Sequence, residues 1–302
     1  MGDGMERVLS KAMSWVEDNL GTFVPRAESW TAGPLVRNLG PLLDLAITCH
    51  LLRRREVPVL VPADKILDGV AELFLAESYQ RAFLGIAERF PYYLWLLAIL
   101  GDSGRLPDPR LTTTAQALVD RGYGTVADLD RPAHKQLELR YILDLGGFAS
   151  PLPSMRELRR RNPIETLTDP VPVAEPDVYA LTHAIFFASD FATEPIPDLT
   201  PQGNAAVNAL LGVHAVSGYR DLAAELILCR RALGRPENDL DRLGRACLAR
   251  AQLASGAVPG PRFDAAEAAA LPPGDRDAYA FDRCYHTTLA TIVCAGADWP
   301  LR

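Results

Sequence analysis

Three of the five histidines sit inside apolar stretches with other polar groups at helical spacing. In "RDAYAFDRCYHTTLATIVCAG" (276–296), Asp282 and His286 stand at i and i+4, so a helix sets both side chains on one face. A carboxylate beside an imidazole orients the ring and favours its protonated form, which is the pairing used for general acid–base work near neutral pH. The spacing therefore makes His286 the proton-transfer group and Asp282 its orienting partner. Tyr279 continues the stripe one turn earlier, and Thr287 and Thr288 add hydroxyls to an otherwise apolar helix.

A second stretch, "DVYALTHAIFFASDFAT" (177–193), places Tyr179, His183, Phe186, Phe187 and Asp190 along one stripe. His183 and Asp190 lie two turns apart, ~10 Å along the axis, where they flank a small ligand without touching. A third helix carries His214 among Val207, Leu210, Leu211 and Ala215. Tyr219 and Arg220 follow at the turn, and Asp221 reads as the cap of the next helix. Asn204 and Asn208 read as ligand contacts or polar surface. In this scheme His286, Asp282 and His183 are catalytic, and Asp190, His214, Tyr279, Tyr219 and Thr287 bind substrate. Each also has a plainer role open to it, as a core histidine bonded to a carbonyl or as a surface ion pair. His50 and His134 read as surface residues. Cys284 lies between the polar groups, with nothing in the sequence to lower its pKa.

Helical periodicity dominates the elements that must position these groups, and strand-like alternation is nearly absent. Helices are expected near 4–20, 34–55, 63–90, 91–101, 111–122, 132–146, 176–192, 202–218, 220–234, 237–254 and 275–297. Proline- and glycine-rich gaps such as "LPDPR", "EPIPDLTP" and "AVPGPR" separate them. The expected fold is all-α, with repeated helical hairpins in one large domain, toroid- or solenoid-like. Residues 1–146 form a first half, 147–175 a Pro-rich connector with one short helix, and 176–302 a second half carrying the site. A weak repeat supports the two halves. "LWLLAILGDSGRLPDPRL" and "LTHAIFFASDFATEPIPDLT" align Asp102 with Asp190 and Trp95 with His183, and each is followed by a helix, a Gly-Tyr pair (Gly122-Tyr123, Gly218-Tyr219) and another helix. The slot that holds a core tryptophan in one copy holds a titratable ring in the other.

Bulk properties narrow the function. With 38 acidic against 31 basic residues and a net charge of -7, the chain lacks the basic surface that nucleic acid requires. Five dispersed cysteines with no CxxC pair fit reduced thiols in a cytoplasm. No secretory signal is read at the start, and apolar runs such as "YYLWLLAIL" are about half the length that crosses a bilayer. A soluble cytoplasmic protein is expected, without a membrane partner. HExxH, dinucleotide, P-loop, GxSxG and DDxxD motifs are absent, and no two histidines share the spacing that pre-arranges metal ligands on a helix. The simplest enzyme is therefore free of metal and cofactor.

The segments "YALTHAIFFASDFA" and "CYHTTLATIVCAG" resemble all-helical bacterial proteins of actinobacterial natural-product pathways. A relative of that kind is the aziridine-forming type, which closes a three-membered ring by displacing sulfate from an amino substrate. The resemblance covers two helices of eleven. It implies His183, Asp190, Asp282 and His286 as site residues and cofactor-independent cyclisation or elimination on a small molecule. A helical-repeat scaffold without catalysis is the rival, and a His/Asp metal-dependent enzyme a further alternative; a homo- or hetero-oligomer is compatible with each. The geometry that separates enzyme from scaffold is whether His183, His214 and His286 converge within ~10 Å.

Overall fold

The computed structural model describes residues 3–24, 36–55, 57, 61–106, 108–125, 131–161, 174–196 and 200–301. The protein is all-α. The described residues contain no strand, and their one isolated bridge joins Arg55 to Leu301. No helix among them is long and apolar enough to cross a membrane.

The chain divides into two compact units. The inner unit comprises Leu20–Arg53 and Leu60–Pro163; the terminal unit comprises Met1–Asn19, Arg54–Val59 and Ile164–Arg302. The first helix thus belongs with the C-terminal half, in contrast to the expected first half of residues 1–146. The 147–175 connector contains one described helix, and residues 162–173 lie outside the described part.

The inner unit holds α2 (Leu20–Phe23), α3 (Val36–Arg53), α4 (Val61–Leu75), α5 (Glu77–Leu84), α6 (Phe90–Asp102), α7 (Pro109–Val119), α8 (Ala133–Leu145) and α9 (Met155–Arg160). The single helix expected over 63–90 is broken at Ala76, whose ψ of 130° leaves the helical region. The break brings Phe74 to 5.4 Å from Tyr79 and 4.7 Å from Tyr93, ring to ring. Aromatic packing offsets the lost helical turn. α6 is apolar on nearly every side, so it is buried and packs on α3 and α8. His50, expected at the surface, is buried on α3 with Nδ1 3.7 Å from Asp102.

The terminal unit holds α1 (Asp3–Asp18), α10 (Glu175–Ala188), α11 (Pro201–Ser217), α12 (Arg220–Ala232), α13 (Asp239–Ala251), α14 (Ala265–Ala270) and α15 (Pro273–Gly296). Its centre is α12, buried continuously from Asp221 to Arg230 and packed by α10, α11, α13 and α15. α1 packs on the outer side of α15, where Trp15 stacks on Phe281 at 5.9 Å.

In both stretches of the repeat a long apolar helix is followed by a proline-led helix and a Gly-Tyr turn. Gly122 and Gly218 have φ of 66° and 84°. This left-handed conformation is one that glycine adopts without the Cβ clash other residues meet.

Candidate functional site

α12 enters the core with apolar residues on every face, so any polar side chain on it between positions 221 and 230 is taken out of water. It carries two carboxylates one turn apart, Asp221 and Glu225, and both are buried. Glu225 is the centre of the candidate site. Its side chain is 6% exposed, and one oxygen, Oε1, lies 3.5 Å from His286 Nε2 and 3.9 Å from His183 Nε2. The other, Oε2, accepts a 2.6 Å hydrogen bond from the Thr182 hydroxyl. Burial works to raise the Glu225 pKa. The approach of His286, the charges of His183 and His286 and the Thr182 hydrogen bond outweigh it and hold the carboxyl below the ordinary glutamate value.

Three helices set this geometry. α10 supplies Thr182 and His183, α12 supplies Glu225, and α15 supplies His286. The imidazoles are 36% and 41% exposed while the carboxylate between them is buried. His183 packs against Phe186 and Phe187 at ring distances of 6.1 Å, so an aromatic wall fixes its face. Nε2 is the nitrogen of His183 turned to Glu225, and Nδ1 is the one on the far side of the ring.

One turn towards the start of α12, Asp221 extends the acidic face. Its Oδ2 accepts from the Tyr179 hydroxyl at 2.5 Å, and its buried Oδ1 has no hydrogen-bond partner. Burial, followed by this bond and the charges of Asp221, Glu225 and Glu175, raises the Tyr179 pKa well above the phenol range. Tyr179 stays neutral and serves as a donor. Asp221 was expected as a cap, but Tyr219 occupies the cap position without a side-chain bond, and Asp221 faces inward from the first turn. His214 lies edge-on to Tyr219 at 5.5 Å. Burial lowers its pKa against the opposing pull of Asp221 and Glu175.

The remaining residues singled out in the sequence are placed elsewhere. Asp282 is 68% exposed and lies 3.9 Å from Arg283. The buried side of α15 runs through Phe281, Cys284, Thr288, Thr291 and Ala295, which turns Asp282 to solvent. The carboxylate that meets His286 comes from α12 instead. α10 ends at Ala188, short of the expected 192, because Asp190, Phe191 and Ala192 take left-handed φ of 47°, 53° and 65°. The Ser189 hydroxyl accepts from Ala192 N at 3.0 Å, a local side-chain bond that competes with helix continuation. Asp190 therefore leaves the His183 stripe and pairs with Arg54 at 2.5 Å. The Tyr279 hydroxyl donates to Glu267 at 2.8 Å and accepts from Asp264 N at 3.1 Å, which ties it to the start of α14. Thr287 is buried, beneath a segment held by Gly260 N donating to Arg283 O and Val258 N donating to Thr288 Oγ1, each at 2.9 Å. Asn208 accepts from Arg230, and Asn204 from Arg235 at 2.8 Å. Burial pushes the Cys284 thiol up to about 11, so its sulfur is protonated at neutral pH. Among the described residues no group of three His, Cys, Asp or Glu side chains is disposed to hold a metal ion.

A family model matches residues 9–296, almost the full length. The chain belongs to the DUF6895 family, described as a domain of unknown function. No curated protein and no solved structure matches it. The DUF6895 match spans both units and every residue of the candidate site.

Proposed function

We propose that this DUF6895 protein is a small-molecule enzyme in which His183 and His286, joined through Glu225, perform acid–base chemistry. The observation that carries this reading is a buried carboxylate shared by two partly exposed imidazoles from different helices. A purely structural glutamate at such depth is more economically satisfied by backbone amides or an arginine. Glu225 then stabilises whichever ring carries the proton, so that one ring serves as acid and the other as base. That pair serves reactions in which a proton leaves one atom of the substrate as another is delivered nearby. Intramolecular ring closure and elimination, of the kind found in bacterial specialised metabolism, are the reaction types it suits. Tyr179, held neutral against Asp221, extends the polar face along which a substrate lies.

The test is incubation of the purified protein with a small-molecule extract, read by mass spectrometry. Species consumed or formed by the wild type, and not by His183→Ala or Glu225→Gln of wild-type fold, support the reading. Identical profiles for all three proteins overturn it.

A binding role without catalysis is favoured by one observation, the exposure of Val213 and Val216 on α11, 55% and 73%. Apolar side chains so placed on one helix are the kind of surface that a protein partner covers. Light scattering of Val213→Lys/Val216→Lys against wild type checks it: an unchanged mass and no lost partner end this reading.

A further inference from the structure

The end of α12 far from the histidines collects guanidinium groups. Arg230, Arg231 and Arg235 follow one another through "CRRALGR", and Arg245 approaches from α13. The first two gain from the carbonyl end of α12, but that does not explain why four arginines surround an open pocket of about 100 Å³. We propose that this pocket binds a small oxyanion of the phosphate type.

The charge balance within the pocket leaves room for such a guest. Asp241 takes Arg230 Nε on both oxygens, at 2.9 and 3.0 Å, and also caps its own helix. Asp298 takes Arg245 at 2.5 and 2.9 Å and has Arg231 at 3.4 Å. Two carboxylates therefore serve three guanidiniums. Among the described residues Arg235 meets the neutral amide oxygen of Asn204 and no carboxylate. The third acid of the rim, Glu237, is turned outward to Arg242 at 3.7 Å. Arg245 Nε is buried with no acceptor. An oxyanion in the pocket neutralises the excess charge, and planar guanidiniums match its paired oxygens.

The surroundings agree. Arg55, buried nearby, donates among the described residues to the carbonyls of Ala297, Trp299 and Phe191. Burial first, then the charges of Arg231 and Arg54, pull its pKa down to about 10. In a chain of net charge -7, this end of the terminal unit is locally positive.

The experiment is calorimetric and thermal-shift titration of the full chain with inorganic phosphate, glycerol 3-phosphate and, at matched ionic strength, potassium chloride. Phosphate is expected to raise the melting temperature to a plateau that chloride does not reach. Arg231→Gln/Arg235→Gln, both solvent-edge positions, is expected to bind phosphate ~tenfold or more weakly, the loss that follows removal of charge-assisted hydrogen bonds. Equal binding of glycerol 3-phosphate identifies a phosphate ester as the guest; binding of inorganic phosphate alone identifies the free ion. A response to phosphate no larger than to chloride, or full binding by the double variant, overturns the proposal and leaves a structural ion-pair network. His183 and Glu225 take no part in this site, so the outcome is independent of the acid–base reading.

Discussion

α6 with α8 in the inner unit and α10 with α12 in the terminal unit are the same construction put to different ends. Each is an apolar helix packed on a helix of 13 residues, and the sixth residue of each 13-residue helix is a glutamate, Glu138 or Glu225. Glu138 is satisfied on its own helix by Lys135 three residues earlier, at 2.6 Å. The facing helix is then free to fill the core with Trp95, set edge-on against Tyr141 at 6.1 Å. At the corresponding place on α12 the residue three before Glu225 is Leu222. Glu225 has no cation three or four residues away on its own helix and takes its partners from across the interface, from His183 on α10 and His286 on α15. An acid neutralised along its own helix is part of the scaffold; one neutralised across three helices makes a site.

The largest effect expected from this contrast is on chemistry. Glu225→Gln keeps the shape and removes the charge that orients both rings, so turnover of whatever substrate the extract screen identifies falls by ~10²–10⁴, the range that general acid–base groups supply. Glu138→Gln leaves it unchanged. The same variant reports on stability through its pH dependence. A carboxyl whose folded pKa lies below its unfolded value contributes stability that is complete above the ordinary 4.5 and is lost as pH falls through the lower folded value. Urea unfolding of Glu225→Gln is therefore expected to be less pH-sensitive below pH 4.5 than wild type. A steeper acid dependence in the variant would mean that Glu225 is not held ionised by the histidines.

The reciprocal break transplants the ring without its partner. Trp95→His puts an imidazole into the inner unit where Glu138 is already committed to Lys135. It removes most of a buried indole and is expected to cost ~3 kcal/mol, the scale of large-to-small aromatic truncation. Denaturant titration measures it. A cost under ~1 kcal/mol would show that the inner-unit slot tolerates a polar ring as well as the terminal one does, and the comparison would lose its force.

Much of this was legible in the sequence, for reasons that also show where legibility stops. The helices were readable because their apolar residues recur at helical spacing, and His183 and His286 were singled out as polar groups planted in those stripes, while whether the histidines meet was left for the structure to answer. The shared partner was missed. "RDLAAELILCRRA" holds its signal, since a helix apolar on all sides must be buried, and a carboxylate inside it must find a partner. The spacing of Asp282 and His286 was equally real, but periodicity does not say which side of α15 meets α12, and Phe281 and Cys284 carry Asp282 out to solvent. The end of α10 was not readable at all. Asp190, Phe191 and Ala192 are held left-handed by bonds that appear only after folding, among them Arg54 to Asp190 and Ser189 to Ala192.

That turn offers a smaller test of how tightly the terminal unit is tied down beside its site. Phe191 stacks on Phe186 at 5.3 Å, and Phe186 packs on His183, so the strained turn backs the wall behind the His183 ring. Ala192→Gly, at φ 65°, relieves the left-handed clash of a Cβ, worth about 1–2 kcal/mol, against a smaller gain of freedom in the unfolded chain. A net stabilisation of up to ~1 kcal/mol is expected, read as a higher urea midpoint with turnover unchanged. Destabilisation would show that the Ala192 methyl contributes more by packing than its backbone loses by strain.

The smallest effect belongs to His214, which shares the acidic face of α12 without touching Glu225. Burial lowers its pKa from the ordinary 6.5, so the folded state binds its proton less readily than the unfolded state. Stability therefore declines as pH falls from 6.5 through the lower folded value, the reverse of what an imidazole paired to a carboxylate would give. His214→Gln is expected to flatten that decline and to leave turnover near wild type, since its ring packs on Tyr219 and reaches neither Glu225 nor His183. Should His214→Gln abolish turnover as Glu225→Gln does, the working face extends past Asp221. The contrast between one acid–base pair and its structural neighbours must then be redrawn to include all three histidines.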